Sequence, residues 1–203
     1  TGVVLTSSSN ITQAGINFQT LASSGDVKVT VTQDSSNPAA QTVNVSDTGS
    51  TSNVPLVAFN IKAQGTAVSI DSLPFTLVTS HDGDDTTSEI SLWNGSQRLG
   101  TYNSITNATS QSFNLNLDST LVIPKDSTVT LTLQAKINKI AVGTFAQGDS
   151  IQAQLGALTG KLLDATGSAI TNFNGGAIGN TQTMYSSGIQ LTLNNTSAVA
   201  STG

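Results

Sequence analysis

The chain has 203 residues, of which only 9% are charged, and its net charge at pH 7 is −5. Soluble domains usually carry about 25% charged residues, and here Ser, Thr, Asn and Gln take their place. The 7 Lys and Arg residues are spread thinly along the chain, so they form no basic stripe for phosphate groups, which excludes nucleic acid as a partner. No run of about 18 apolar residues occurs, so we expect no membrane span.

The inventory of reactive side chains argues against an enzyme. The chain has no Cys, a single His (His81) and a single Glu (Glu89). It contains no nucleophile elbow, metalloprotease helix motif or phosphate-binding loop. We therefore expect a protein without catalytic activity. The alternative is a hydrolase, which would need His81 and the acidic residues beside it to act together in a cleft.

Alternation of apolar and polar residues predicts strands along most of the chain. Val27, Val29 and Val31 share one face, and residues 129–137 alternate in the same way. Further alternating runs predict strands at residues 57–63, at 68–70 continuing after a break into 73–77, and at 113–117 and 151–155. Each run has one polar face, which is typical of antiparallel sheets with one side in water.

Turn signals separate these strands. Asn94-Gly95 predicts a tight hairpin, since this dipeptide supplies the two positive φ values of a type I′ turn. Residues 118–120 and 124–127 are predicted turns on the same chemistry. About seven strands with regular turns indicate an all-β fold, an immunoglobulin-like antiparallel β-sandwich.

The two ends of the chain resemble each other. The segment from Thr1 to Val31 matches the segment from Thr159 to Leu193 in the order of its pieces, from a TG start to an SSG followed by a strand. This indicates an internal repeat with a period of about 160 residues. The alternative is chance similarity between two Ser/Thr/Gly-rich stretches.

The repeat suggests a domain organisation. Residues 1–25 are interpreted as the closing segment of a preceding repeat or as a donated strand, and residues 186–203 as the opening strand of the next repeat. Residues 26–185 are the β-sandwich repeat itself. Its core is predicted at about 54–163, and 34–53 reads as a linker or edge strand.

A family resemblance rests on the order of these motifs. The runs are VPLVAFNIKAQGTAVSIDSLPFTL, SEISLWNGSQRLGT, SFNLNL, LVIPKDSTVTLTLQAKI and GDSIQAQL. This order resembles the tandem-repeat, immunoglobulin-like β-sandwich domains of large bacterial cell-surface proteins, of the S-layer and adhesin-stalk type. The resemblance implies a building element of the cell surface and carries over no active site.

The densest charge in the chain is a candidate metal site. Asp82, Asp84, Asp85 and Glu89 lie within eight positions of one another around a glycine. Calcium takes six to eight oxygen ligands from flexible loops, so these carboxylates are candidate calcium ligands. His81 next to them raises zinc as an alternative, but one His among oxygen donors favours calcium. The alternative is a solvent-exposed acidic turn that binds no metal.

Trp93 and Tyr102 are candidate contacts to a glycan or a partner. Trp93 is the only Trp, and alternation places it on the opposite face from Ile90 and Leu92. An exposed ring beside a turn can stack on a sugar or fill a pocket of a neighbouring protein. The alternative is a purely structural role, in which a bulge returns the ring to the core or the ring caps one end of the sandwich.

Together these features predict an extracellular, cell-surface structural protein. The expected partners are other copies of the chain or adjacent repeats, joined when a strand from one unit completes the sandwich of the next. The residues from Val27 to Val31 and from Ile189 to Leu193 are candidates for such an isolated terminal strand. Calcium is the one cofactor that the sequence favours. The alternative function is an adhesin or carbohydrate-binding module that binds surface glycans.

Overall fold

A computed structural model describes residues 27–141 and 144–186. Within these ranges the chain forms strands joined by turns, with one short helix. In chain order the elements are β1 (Lys28–Gln33), β2 (Gln41–Asn44), β3 (Thr51–Gln64), β4 (Val68–Thr79), α1 (Gly83–Thr86), β5 (Thr87–Asn94), β6 (Gln97–Tyr102), β7 (Ser110–Ile123), β8 (Thr128–Ile137), β9 (Ser150–Leu155), β10 (Leu162–Asp164), β11 (Phe173–Gly175) and β12 (Gln182–Tyr185). The all-β prediction is confirmed. The predictions for residues 1–25 and for the strand at Ile189 to Leu193 lie outside the described residues.

The strands form a sandwich of two sheets. The first sheet has the order β11-β1-β3-β8-β5-β6. The second has the order β10-β4-β9-β12-β2, and β7 also pairs with β4. Alternation decides which side chains face inward: in β8, Leu131 and Leu133 are fully buried while Thr132 between them is not. Phe59 of the first sheet meets Phe75 of the second with ring centroids 6.1 Å apart.

Both sheets are mixed, which differs from the purely antiparallel sandwich expected from the sequence. β1 pairs in parallel with β11, and β2 pairs in parallel with β12. Residues 34–40 connect β1 to β2, and residues 176–181 connect β11 to β12. Both connections run from the first sheet to the second, so the two crossings lie side by side and the strands that they join are parallel in each sheet. β1 is also paired on both sides, with β3 and β11, so it is not the isolated terminal strand that was predicted. The predicted linker or edge segment 34–53 contains β2, which lies at the edge of the second sheet.

The sandwich has two distinguishable ends. At the entry end, β1 begins with Lys28 opposite Gln64, the last residue of β3. At the exit end, Val45 N donates to Tyr185 O (2.8 Å), and Ser46 N donates to Oγ1 of Thr51, the first residue of β3 (2.9 Å). β3 spans the sandwich from one end to the other and has 14 residues. The start of β1 and the finish of β12 are therefore about 40 Å apart.

Two predicted turns differ from the structure. The hairpin between β5 and β6 has a positive φ at Gly95 (58°) but at neither Asn94 nor Ser96, so Gly95 and Ser96 are the central residues of a type II′ turn, not type I′. Residues 118–120 are not a turn between strands but lie within β7. There the pairing of β7 with the continuous β4 jumps, because Ile70 faces Leu121 while Ser72 faces Asn116.

The predicted turn at residues 124–127 is present, with Ser127 N donating to Pro124 O at 3.1 Å. Asp126 in this turn has a φ of 59°, which Asp tolerates better than most residues. In the part of the chain that the structure describes, no helix is long and apolar enough to cross a membrane.

Candidate functional site

The acidic loop lies at the exit end of the sandwich. It contains α1, a single helical turn between β4 and β5. Thr87, directly after α1, faces Ile137 of β8, and Ile137 in turn faces Thr51. The predicted metal site therefore lies at the same end as the finish of β12.

Hydrogen bonds hold this loop in place from two sides. Gly83 N donates to Ala108 O at 3.1 Å, and a Cβ at Gly83 would come within 3.0 Å of the Thr106 carbonyl oxygen. On the other side, the side-chain amide of Asn138 donates to the carbonyl oxygen of Asp84 at 2.8 Å. A side chain at Gly83 would therefore need its neighbours to move by a few tenths of an ångström, and hydrogen bonds anchor the loop to those neighbours.

The structure brings only part of the predicted ligand set together. Donor atoms of His81, Asp82 and Asp85 lie within 4.8 Å of one another, and His81 Nε2 is 3.4 Å from Asp85 Oδ2. Asp84 and Glu89 are not in this group: Asp84 Oδ1 accepts from Asp85 N at 3.0 Å, and Glu89 lies in β5. All three members of the group are half-buried, so a cation there would keep part of its hydration shell.

An apolar pocket of about 320 Å³ opens beside His81. Ile140, Thr144 and Phe145 contribute to its lining, and Phe145 is almost fully buried. Sequence reasoning missed this pocket. Its only signal is a few apolar residues in the connection between β8 and β9 that fit no strand alternation.

Trp93 lies on the outer face of the first sheet, as alternation predicts. It faces Thr132 of β8, whose neighbour Leu133 is in the core. The ring is half-buried because its Nε1 donates to Ser91 Oγ at 2.9 Å, which draws the indole back along the strand and covers Ser91. A bulge does occur at this point, but β6 carries it, since Leu92 faces Gly100 while Trp93 faces Arg98.

Tyr102 packs within the molecule. It faces Ile90, a fully buried residue of β5, so it points to the core side of the first sheet. Its ring stacks on Phe113 at a centroid distance of 4.2 Å, and its hydroxyl accepts a hydrogen bond from Gln111 Nε2 at 3.0 Å.

The two aromatic candidates therefore do not form one platform. Trp93 faces outward and Tyr102 inward from the same sheet, so a flat ligand such as a sugar ring cannot stack on both. Of these two candidates, only the half-exposed indole of Trp93, on the outer face of the first sheet, is available to bind a ligand.

Comparisons with known proteins do not assign this chain to a family. No family model matches the chain, and no match is found among curated proteins. Among solved structures, a chain from the crystal structure of a dockerin–cohesin complex at pH 5.5 aligns with 12% identity, 78% coverage of this chain, 99% coverage of that chain and a TM-score of 0.29. A TM-score of this size does not establish a shared fold.

Proposed function

We propose that the chain is an extracellular structural protein, a β-sandwich unit of a surface layer, stalk or filament. Its units join end to end by strand complementation, and calcium stabilises the junction. The observation that carries the proposal is the separation of the two ends of the sandwich. β1 begins at the entry end opposite Gln64, and β12 finishes at the exit end beside Val45, about 40 Å away.

This separation matters because the chain continues on both sides with related sequence. The segment before β1 resembles the segment that contains β12, and the segment after β12 resembles β1, with a period of about 160 residues. A unit whose chain enters at one end and leaves at the other adds its full length to a row of units. A unit with both termini at one end would instead branch from the row.

The acidic loop supports calcium at this junction. Asp82 and Asp85 lie at the exit end, the end at which β12 finishes and the following unit would begin. Two carboxylates provide only part of the six to eight oxygens that calcium takes, so water or the adjoining unit would provide the rest. A cation bridging two units would rigidify their connection.

An extracellular setting is supported by the low charge and by the polar, Thr-rich outer faces of the strands. The glycan-binding alternative has less support, because Trp93 and Tyr102 lie on opposite faces of one sheet. The structural role therefore explains more of the observed features than glycan binding does.

Light scattering and negative-stain microscopy test the proposal. The purified chain is measured over a range of concentrations in millimolar calcium and then in excess chelator. We expect linear assemblies that shorten or fall apart when calcium is removed. A monomer at every concentration, indifferent to the chelator, would contradict the proposal and direct the next experiment to glycan arrays with Trp93→Ala.

A further inference from the structure

The sequence around β12, the last strand that the structure describes, has a second copy near the start of the chain. Residues 17–25 (NFQTLASSG) match residues 180–188 (NTQTMYSSG) without a gap, and six of the nine residues are identical. Residues 182–185 of the second segment are β12. The match therefore falls on a strand whose position and contacts are known.

β12 is held by contacts that residues 17–25 would preserve. Gln182 is fully buried, and its Nε2 donates to Ala39 O at 3.0 Å and to Asn180 O at 3.1 Å. Met184 is fully buried in the core. Their counterparts are an identical glutamine, Gln19, and Leu21, which has nearly the volume of methionine.

The remaining contacts of β12 come from the backbone. Met184 N donates to Asp149 O at 2.8 Å, and Met184 O accepts from Gly148 N at 2.9 Å. Any residue other than proline can make such bonds. The substituted positions are less demanding, since Thr181 is exposed and Tyr185 is half-buried.

The match has a structural limit on its upstream side. Gly179 precedes Asn180 and lies so close to the first sheet that a Cβ there would overlap the carbonyl oxygen of Leu56. Ile16 stands at the corresponding position of the N-terminal copy. The equivalence therefore begins at Asn17.

Residues 17–25 cannot reach the β12 position of their own molecule. If Ala22 stood where Tyr185 stands, it would lie at the exit end, whereas Val27 leads into β1 at the entry end about 40 Å away. The five residues from Ala22 to Val27 span at most about 18 Å when extended. The segment can therefore take a β12 position only in another unit.

We propose that residues 17–25 are a donor strand that takes the β12 position, between β9 and β2, of a second molecule of this chain. The proposal specifies the segment and the slot of the strand complementation in the proposed function, and rests on it in that sense. β12 is held by short pairings, with β9 at two residues and with β2 at four. The donor of each molecule precedes its entry end and the slot lies towards its exit end, so the contact is head-to-tail and does not close on itself.

Engineered cysteines in the full chain test the pairing, because the natural chain has none. Thr183 faces Ser150 of β9, so Thr20 should face Ser150 of the acceptor molecule. Chains carrying Thr20→Cys are mixed with chains carrying Ser150→Cys under oxidising conditions, and mixed disulfide dimers are counted by mass spectrometry. Thr183→Cys with Ser150→Cys in one chain is the positive control for geometry, and Thr12→Cys replaces Thr20→Cys as the negative control.

We expect at least tenfold more mixed dimer with Thr20→Cys than with Thr12→Cys. The yield should rise further when the acceptor also carries Met184→Asp, which weakens its own β12. Equal yields from Thr20→Cys and Thr12→Cys with both acceptors would overturn the proposal.

A second pair of variants separates this proposal from the proposed function. Leu21→Asp places a charge at the counterpart of buried Met184, whereas Phe18→Asp places it at the counterpart of exposed Thr181. We expect Leu21→Asp to abolish the assemblies seen by light scattering and Phe18→Asp to leave them intact. Assemblies that persist in Leu21→Asp would overturn the donor strand while leaving the proposed function standing. Absence of assemblies in the unmodified chain would contradict the proposed function, and the cysteine pair with the Met184→Asp acceptor would still decide the donor strand.

Discussion

The ring of Tyr102 lies parallel to the ring of Phe113, with centroids 4.2 Å apart and planes inclined by 18°. Tyr102 ends β6 at one edge of the first sheet, and Phe113 lies in β7, which pairs with β4 of the second. Further along the same strands, a Cβ at Gly100 would overlap the carbonyl oxygen of Asn116. β6 and β7 thus bring the edges of the two sheets together and close one side of the sandwich.

This stack predicts a stability effect for Tyr102. Tyr102→Ala should lower the free energy of unfolding by about 2 kcal/mol, because it removes a half-buried ring and leaves a gap beside Phe113. Tyr102→Phe keeps the stack and loses only the bond to Gln111, for a cost of about 1 kcal/mol. Urea unfolding measures both, and a Tyr102→Ala chain as stable as the unmodified one would contradict the role.

Gly179 marks the place where the chain passes between the two sheets. Gly179 N donates to Ala153 O of β9 at 2.9 Å, while a Cβ would overlap the Leu56 carbonyl oxygen of β3. Gly179→Ala should therefore destabilise the fold by about 1–3 kcal/mol, since the backbone must shift. Gly176→Ala is the matched control, because a Cβ there meets nothing within 4 Å. Similar thermal midpoints for the two variants would contradict the prediction.

Asp34 makes the stability of the fold sensitive to acid. Its carboxylate accepts hydrogen bonds from the Ser36 hydroxyl (2.6 Å), the Ser36 backbone N–H (2.8 Å) and the Asn60 amide (2.8 Å), and these hold the pKa of Asp34 below its usual value. A folded-state pKa below the unfolded one contributes stability that is complete above about pH 4 and is lost as the pH falls through the folded value.

We therefore expect the thermal midpoint to fall as the pH drops below about 4, and to fall less steeply in Asp34→Asn. Ser36→Ala removes the hydroxyl donor and keeps the carboxylate, so carboxyl NMR titration should show a higher pKa for Asp34 in that variant. An unchanged pKa in Ser36→Ala would show that the hydroxyl is not the main cause.

The proposed calcium site at the acidic loop predicts a difference between neighbouring carboxylates. Asp82→Asn or Asp85→Asn should weaken calcium binding at least tenfold, because both side chains belong to the converging group. Glu89→Gln should have little effect, since Glu89 lies outside the group in β5. Calorimetric titration compares the variants. Tighter binding of zinc than of calcium, lost in His81→Ala, would overturn the assignment to calcium.

Local sequence predicts this molecule well where one strand face is buried. The run at residues 129–137 alternates because its side chains face the core and the solvent in turn, and β8 has these faces. It predicts less well where a side chain folds back over the outer face of its own strand. Ile90, Ser91 and Leu92 are buried in succession because the Trp93 indole bends back over Ser91, a contact that the alternation pattern does not contain.

The sequence also predicts some features of the candidate metal site and not others. The clustering of Asp82, Asp84, Asp85 and Glu89 is visible in the sequence, but sequence distance does not indicate which carboxylates converge. The helical turn of α1 separates them, turning Asp85 towards His81 while Glu89 continues into β5. The neighbouring pocket depends on Ile140 and Phe145, which no local pattern connects to His81.

The sequence by itself determines that this protein is all-β, where most of its strands run and which of their faces is buried, because alternation is a local consequence of the extended backbone. It also shows that residues 17–25 repeat residues 180–188. Only the tertiary structure decides which strands are neighbours, since Val29 meets Phe173 through hydrogen bonds that any backbone can make. The two parallel crossings therefore do not follow from local sequence, yet they place the start of β1 and the finish of β12 at opposite ends of the sandwich.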